Sequence, residues 1–222
     1  MKPLLLTLLL VLTSSLALVA QDADHARIDP TRIDIYRDTL GVPHIFAKTD
    51  AEVAYGMAWV QCEDQFEYVQ EAMLNAKRRL GRWKGKEGAI FDFFVHFTRM
   101  DTLVEQRYET AFSPEFKRVL AGFVQGLNDY AEAHPKEVVD KKAYPLTPQD
   151  VVLGYSVPMV LNAGLGFAFK AVLDGNVDLF NVNHKEGGSN ASAVAPSRTP
   201  DGSTYFMSNT HQPNTGRFAW YE

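Results

Sequence analysis

Apolar residues change their spacing along this chain, and that change limits the folds open to it. Val53, Met57, Val60, Phe66, Val69, Met73 and Leu80 recur at intervals of three to four residues for much of the run. Phe116, Val119, Leu120, Phe123, Leu127 and Tyr130 form a second set of the same kind. Both are patterns of amphipathic helices that bury one stripe. After Ser189 the pattern differs: Ala191, Ala193 and Ala195 alternate, which is the spacing of a strand. A mainly helical front followed by an antiparallel hairpin predicts an α+β chain.

Start and stop signals place these elements. Thr49 with Glu52 has capping-box spacing, so a helix is predicted from there. Arg78 and Arg79 suit its C-terminal dipole, and Gly81 is expected to close it. Ser113-Pro114 opens a second helix and His134-Pro135 ends it, while Thr147-Pro148 with Asp150 opens a third. Pro158 is expected to kink or end that helix. Gly164, Gly166 and Gly175 then begin a looser stretch, with residues 166–188 as the candidate linker. Ile33 and Ile35, with Val42, Ile45 and Ala47, flank Asp38 and Gly41 and predict a strand pair. Pro200-Asp201-Gly202-Ser203 turns the later hairpin, and Tyr205 to Asn209 returns as its second strand. There is no internal repeat and no low-complexity tract.

With 222 residues, 46% of them apolar, the chain has material for the core of one or two domains. A formal charge of −5 without a Lys/Arg block gives a nucleic-acid role no footing. Residues 1–20 carry Lys2, a Leu/Val-rich run, then Ala17 and Ala20, the order of a secretory signal peptide. Thr13, Ser14 and Ser15 interrupt that run, which is short for a spanning helix. Export to the periplasm or beyond is therefore expected, without stable membrane insertion once the signal is removed. The single cysteine, Cys62, excludes an intramolecular disulfide and is predicted to be buried helix surface rather than a nucleophile.

Gly187-Gly188-Ser189-Asn190 is the candidate reactive segment. By themselves these residues are ordinary turn chemistry, and a flexible loop is their default reading. The same residues suit an internal N-to-O acyl shift, because glycine has no Cβ to obstruct a hydroxyl approaching its carbonyl. The hairpin would bring His211 back toward the Ser189 end, where by itself it reads as a strand-end histidine bonded to backbone. His44, beside Pro43, reads as a scaffold residue, and Arg198 is divided between a hairpin bond and plain exposure. His184, Glu186 and His211 fit no standard metal-ligand spacing. Asn190-Ala191-Ser192 is formally a glycosylation sequon, with modification not expected inside a site strand. Phe91, Phe93, Phe94 and Phe97 read first as core and second as the lining of an apolar pocket.

Several separated motifs lie in one order. They run from Arg37-Asp38-Thr39-Leu40-Gly41-Val42-Pro43-His44-Ile45 through Tyr55-Gly56, Glu63-Asp64-Gln65-Phe66, Gly126-Leu127-Asn128 and Leu146-Thr147-Pro148-Gln149-Asp150. Ser189-Asn190-Ala191, Asn209-Thr210-His211 and Trp220-Tyr221-Glu222 complete the set. From about residue 33 onward the chain resembles the penicillin acylase family of N-terminal nucleophile amidohydrolases. The resemblance implies an αββα sandwich, of which this sequence covers the mainly helical α-chain region (21–165) and the truncated start of a β-chain (189–222). It implies self-cleavage between Gly188 and Ser189. Ser189 is then nucleophile and, through its free amine, base, with His211 orienting it. The expected partners are a small-molecule acyl amide and the remainder of the β-chain. The family's oxyanion donors are expected beyond Glu222, so this fragment alone is expected to be inactive. No cofactor is required for such chemistry; the resemblance leaves room for a structural calcium, for which no residue of this sequence speaks. Two alternatives stay open: a conventional serine hydrolase, for which no Gly-x-Ser-x-Gly elbow is present, and a non-catalytic secreted binding relative.

Overall fold

The computed structural model describes residues 27–165, 175 and 189–211. The expected signal peptide, Gly188 and nearly all of the 166–188 linker, with His184 and Glu186, lie outside the described residues. The chain divides between Val152 and Leu153 into two compact units.

The first unit opens with β1 (Asp34–Arg37) and β2 (Pro43–Phe46), an antiparallel pair with Ile35 opposite Ile45. Asp38 builds the turn by accepting from the Leu40 and Val42 amides at 2.8 and 3.0 Å, while Gly41 takes the left-handed φ of +86°. The pair's inner face rests on Gly56 of α1 (Asp50–Ala76), where a Cβ would lie 2.7 Å from Ile45 Cγ2.

The capping box predicted for α1 is present: Thr49 accepts from the Glu52 amide while Glu52 accepts from the Thr49 amide. Glu52 is buried. Burial alone would push its carboxyl up, but the Thr49 hydroxyl, Arg32 and the Lys48 and Thr49 amides outweigh that and hold it below the ordinary value. The inward stripe differs from the one read off the large residues. Val53 and Met57 are exposed, and small residues, Ala54, Gly56 and Ala58, occupy the buried face. Further along, Val60, Cys62, Phe66, Val69 and Met73 are buried, and Gln65 leaves helical geometry at φ −146°, ψ 40°. Burial pushes the Cys62 thiol well above its ordinary value, so it is no nucleophile.

The expected end of α1 is corrected. The helix stops at Ala76, Arg78 turns the chain at φ 54°, and Gly81 begins α2 (Gly81–Thr98) instead of closing α1. The reason is local: Asp92 accepts from the Leu80 and Gly81 amides at 3.0 and 2.8 Å, satisfying donors at the new helix start. Arg99, at φ 55°, separates α2 from α3 (Met100–Ala111).

Ser113 and Pro114 start α4 (Pro114–Ala133) as expected, with the Ser113 hydroxyl accepting from the Phe116 amide at 3.2 Å. Its buried face passes through Leu120, Gly122, Val124, Gly126, Leu127 and Tyr130, whereas Phe116 is exposed. Gly122 and Gly126 let α4 lie directly on α1. A Cβ on Gly122 would stand 2.1 Å from the Ala51 carbonyl oxygen, and one on Gly126 would stand 2.5 Å from that of Tyr55. Contacts climb both helices in the same sense, from Ala51 with Gly122 through Tyr55 with Gly126 to Phe66 with Tyr130, so α1 and α4 run parallel.

Three side-chain amides stitch irregular backbone to this pair by donating and accepting at once. Gln125 holds both the N–H and the C=O of Ile28, each at 2.8 Å. Asn128 does the same to Leu146, at 2.7 and 3.0 Å. The buried Gln70 bonds the Glu137 carbonyl and the Val139 amide. Thr147 and Asp150 form the predicted cap of α5 (Pro148–Val160). Pro158 is accommodated two residues before its end, after which a π-helical turn covers Leu161–Leu165.

The described part of the second unit includes one antiparallel hairpin, β3 (Ser189–Val194) with β4 (Tyr205–Thr210). Helices and antiparallel strands together give the α+β class expected.

Candidate active site

Ser189 is the first residue of β3 and pairs with Thr210, the last of β4. Asn190 lies opposite Asn209, and the register continues without a slip to Val194 opposite Tyr205. Side chains alternate faces along a strand, so Ser189 and Thr210 belong to one face of the ladder and Asn190 and Asn209 to the other.

The far end of the hairpin is fastened by its turn. Asp201 accepts from the Tyr205 hydroxyl at 2.8 Å and the Ser203 amide at 3.2 Å. These bonds bring its carboxyl down to about 2 although it is open to solvent. Gly202 takes φ +70°. Thr199 Oγ1 lies 2.9 Å from the Ser203 carbonyl oxygen and 3.0 Å from that of Pro196, tying the two sides of the turn. Arg198 has an exposed side chain and contributes its backbone amide to Ala195.

His211 follows β4 directly and returns to the Ser189 end of the ladder, as the hairpin reading requires. Its Nε2 lies 3.3 Å from Asn190 Nδ2 and 3.4 Å from Asn209 Nδ2. The ring therefore belongs to the asparagine face. The sequence alone does not announce this amide pair, since only the β3–β4 register brings Asn190 opposite Asn209.

The other candidates separate by surroundings. His44 Nε2 is 3.5 Å from Asp38 Oδ2, in the turn that shapes β1 and β2, which suits a scaffold role. Phe94 is buried and Phe91 packs against Leu74 and Leu80, so these two are core. Phe93 and Phe97 stack at 5.9 Å on the exposed side of α2. A cleft of about 500 Å³ in the first unit is lined by Ile33, Ile35, Tyr55, Trp59, Asp129 and Glu132. Asp129 there is already engaged by Arg27 and the Tyr55 hydroxyl. Among the described residues no group of three or more His, Cys, Asp or Glu could hold a metal ion. No described helix is long and apolar enough to cross a membrane.

Ser189 thus heads a paired strand and His211 returns to the same end of the ladder, on the face opposite Ser189. The model of the penicillin amidase family matches residues 32–222, and the chain belongs to that family. Among curated relatives, penicillin acylase 2 proenzyme of Pseudomonas sp. is 28% identical over 98 residues, 44% of this chain and 12% of that protein. Penicillin G acylase of Escherichia coli is 25% identical over 124 residues, 54% of this chain and 14% of that protein. Acyl-homoserine lactone acylase PvdQ of Pseudomonas fluorescens is 23% identical over 233 aligned residues, 89% of this chain and 30% of that protein. The chain thus spans less than a third of the length of each of these relatives. A thermostable penicillin G acylase structure from Alcaligenes faecalis aligns at a TM-score of 0.49 with 19% identity, covering 73% of this chain and 98% of that one.

Proposed function

We propose that this chain is the leading part of a secreted amidohydrolase that cuts its own backbone before Ser189 and then hydrolyses the amide of an N-acylated small molecule or peptide. The observation that carries this reading is the position of Ser189 as the first paired residue of β3. A cut immediately before it removes no rung of the β3–β4 ladder, so the new terminus stays anchored at a rigid strand end.

In the cut, Ser189 Oγ attacks the Gly188 carbonyl carbon and the C–N bond breaks as the departing nitrogen takes a proton. The resulting ester is hydrolysed, leaving a Gly188 carboxylate and a free Ser189 amine. In turnover the same Oγ attacks a substrate amide carbonyl while the α-amine accepts its proton, directly or through one water. An α-amine titrates near about 7.7–8.0, so a substantial share is neutral at physiological pH. The proton passes to the leaving amine, an acyl ester remains on Ser189, and water releases the acid. Oxyanion donors in this reading come from the remainder of the β-chain, which is the partner this segment requires.

N-terminal sequencing of the purified full-length product tests the reading. A new terminus at Ser189 is expected from the wild type and a single uncut chain from Ser189→Ala. Cutting of that variant at the normal rate would assign the step to another protease.

A further inference from the structure

We infer that Thr210 is a positioning residue for the nucleophile, its hydroxyl holding Ser189 Oγ in the rotamer that attacks, both in the cut and in turnover. The inference rests on Ser189 being the nucleophile. Ser189 and Thr210 stand directly opposite each other on the terminal rung of the β3–β4 ladder. Cross-strand partners share a face and bring their Cβ atoms to about 4.5–5.5 Å, a separation at which Thr and Ser hydroxyls bond across a sheet. Asn190, Asn209 and the His211 ring belong to the other face. The next rung of the Ser189 face, Ala191 with Ser208, lies two residues further from the cut, so Thr210 carries the polar group nearest the nucleophile on its own side. Every residue of β3 and β4 is exposed except Thr210, which is partly buried. Among the described residues neither hydroxyl has a hydrogen-bond partner, and rotation about χ1 of Ser189 makes each available to the other.

The two side chains differ in freedom. A serine at an exposed strand end has three staggered χ1 wells open to it, whereas a β-branched threonine in a strand is restricted at χ1. Thr210 therefore supplies a fixed point, and Ser189 is the group that needs one. A serine hydroxyl has one proton and two lone pairs. In turnover the proton goes to the α-amine and one lone pair attacks the carbonyl, which leaves the second to accept from Thr210 Oγ1–H. Such a bond fixes Oγ without competing for the proton that the amine takes. The same oxygen attacks the Gly188 carbonyl in the cut, so cut and turnover should respond together to its loss.

Thr210→Val in the full-length protein removes the hydroxyl and keeps the branched shape and strand preference, while Thr210→Ser keeps the hydroxyl. Two rates read the nucleophile without a known substrate. One is the appearance of the Ser189 terminus in freshly synthesised precursor, followed by mass spectrometry. The other is sulfonylation of Ser189 in processed protein by phenylmethanesulfonyl fluoride, in which an Oγ–S bond forms, fluoride leaves and the α-amine takes the proton. Both rates are expected to fall on the order of tenfold in Thr210→Val and to recover in Thr210→Ser, with melting temperature little changed. A threonine that only suits the strand would leave both rates at the wild-type level in Thr210→Val. A crystal structure of the processed wild-type enzyme does not depend on any variant folding: Thr210 Oγ1 is expected about 2.5–3.0 Å from Ser189 Oγ, and a separation beyond about 4 Å overturns the inference. Unchanged rates in Thr210→Val, or equal losses in Thr210→Val and Thr210→Ser, overturn it too. Each of these results leaves Ser189 chemistry standing, whereas absence of a terminus at Ser189 in the wild type overturns the proposed function itself, and this inference with it.

Discussion

Replacing Gly122 with alanine puts a methyl group where α1 and α4 leave no room. The added Cβ would lie 2.1 Å from the Ala51 carbonyl oxygen and 2.9 Å from its carbon. Both obstructing atoms are backbone, so no side-chain rotation relieves the clash and the helices must separate. Overfilling a packed seam costs about 1–3 kcal/mol, and an immovable neighbour argues for the upper end. Alanine gains about 1 kcal/mol over glycine in helix propensity. The difference is a net loss of about 2 kcal/mol, which at a urea slope of about 2 kcal/mol/M lowers the unfolding midpoint by about 1 M. Urea titration followed by tryptophan fluorescence suits the assay, since Trp59 packs edge-on against Tyr130 along this seam. Gly126→Ala, with its closest contact at 2.5 Å, should shift the midpoint in the same direction by less. An unchanged or higher midpoint in Gly122→Ala is what propensity alone would give, and it would refute the close-packing argument.

Other expectations follow from the same geometry. His211→Ala should reduce turnover on the order of 100-fold with little loss of melting temperature in the processed enzyme, and near-normal turnover would remove His211 from the site. Ser189→Cys should still be cut, since a thiol can perform the shift, but turn over far more slowly; mass spectrometry and an acyl-amide assay on one sample decide it. Thr49→Ala should lower stability by about 1 kcal/mol through loss of the cap, read as a smaller urea shift than that of Gly122→Ala. Asp201 is depressed from 3.8 to about 2, so its contribution to the hairpin is present above its unfolded value and is lost as pH falls through the folded one. Tyr205→Phe should return its titration toward 3.8, measured by carboxyl NMR, and narrow that acid window.

Elements announced by caps were legible in the sequence. Thr49 with Glu52, Ser113 with Pro114, and Thr147 with Asp150 each marked a helix start that the structure contains, because a capping side chain acts on amides only a few residues away. The hairpin was legible for the same reason, through alternation and the Asp201-Gly202 turn. What stayed hidden depends on distant neighbours. Arg78 and Arg99 adopt left-handed backbone that their side chains do not advertise, and Asp92 recruits Gly81 into α2 from eleven residues away. The inward faces of α1 and α4 were misjudged at Val53, Met57 and Phe116 because size was taken as the sign of burial. Here the closest approach is made by Gly122 and Gly126, whose lack of a side chain is what buries them. At the site, Ser189 and His211 could be proposed from motif and strand alternation. The amide pair on His211 needed the register, since only pairing brings Asn190 to Asn209.

The parallel course of α1 and α4 also bears on the order in which the chain can acquire its structure. Antiparallel neighbours can be joined by a short loop, but parallel ones need a return path, and α2 with α3 spans that distance. Ala51 and Gly122 are separated by about 70 residues, so their contact follows a large loop closure. The β1–β2 ribbon and single helix turns close much smaller loops and have no such delay. The seam should therefore assemble late relative to these local pieces and act as the step that makes the first unit cooperative. Because closure entropy grows only logarithmically, doubling the length of the return path would cost only about 0.6 kcal/mol, so changes in its length should be tolerated far better than a single methyl on Gly122.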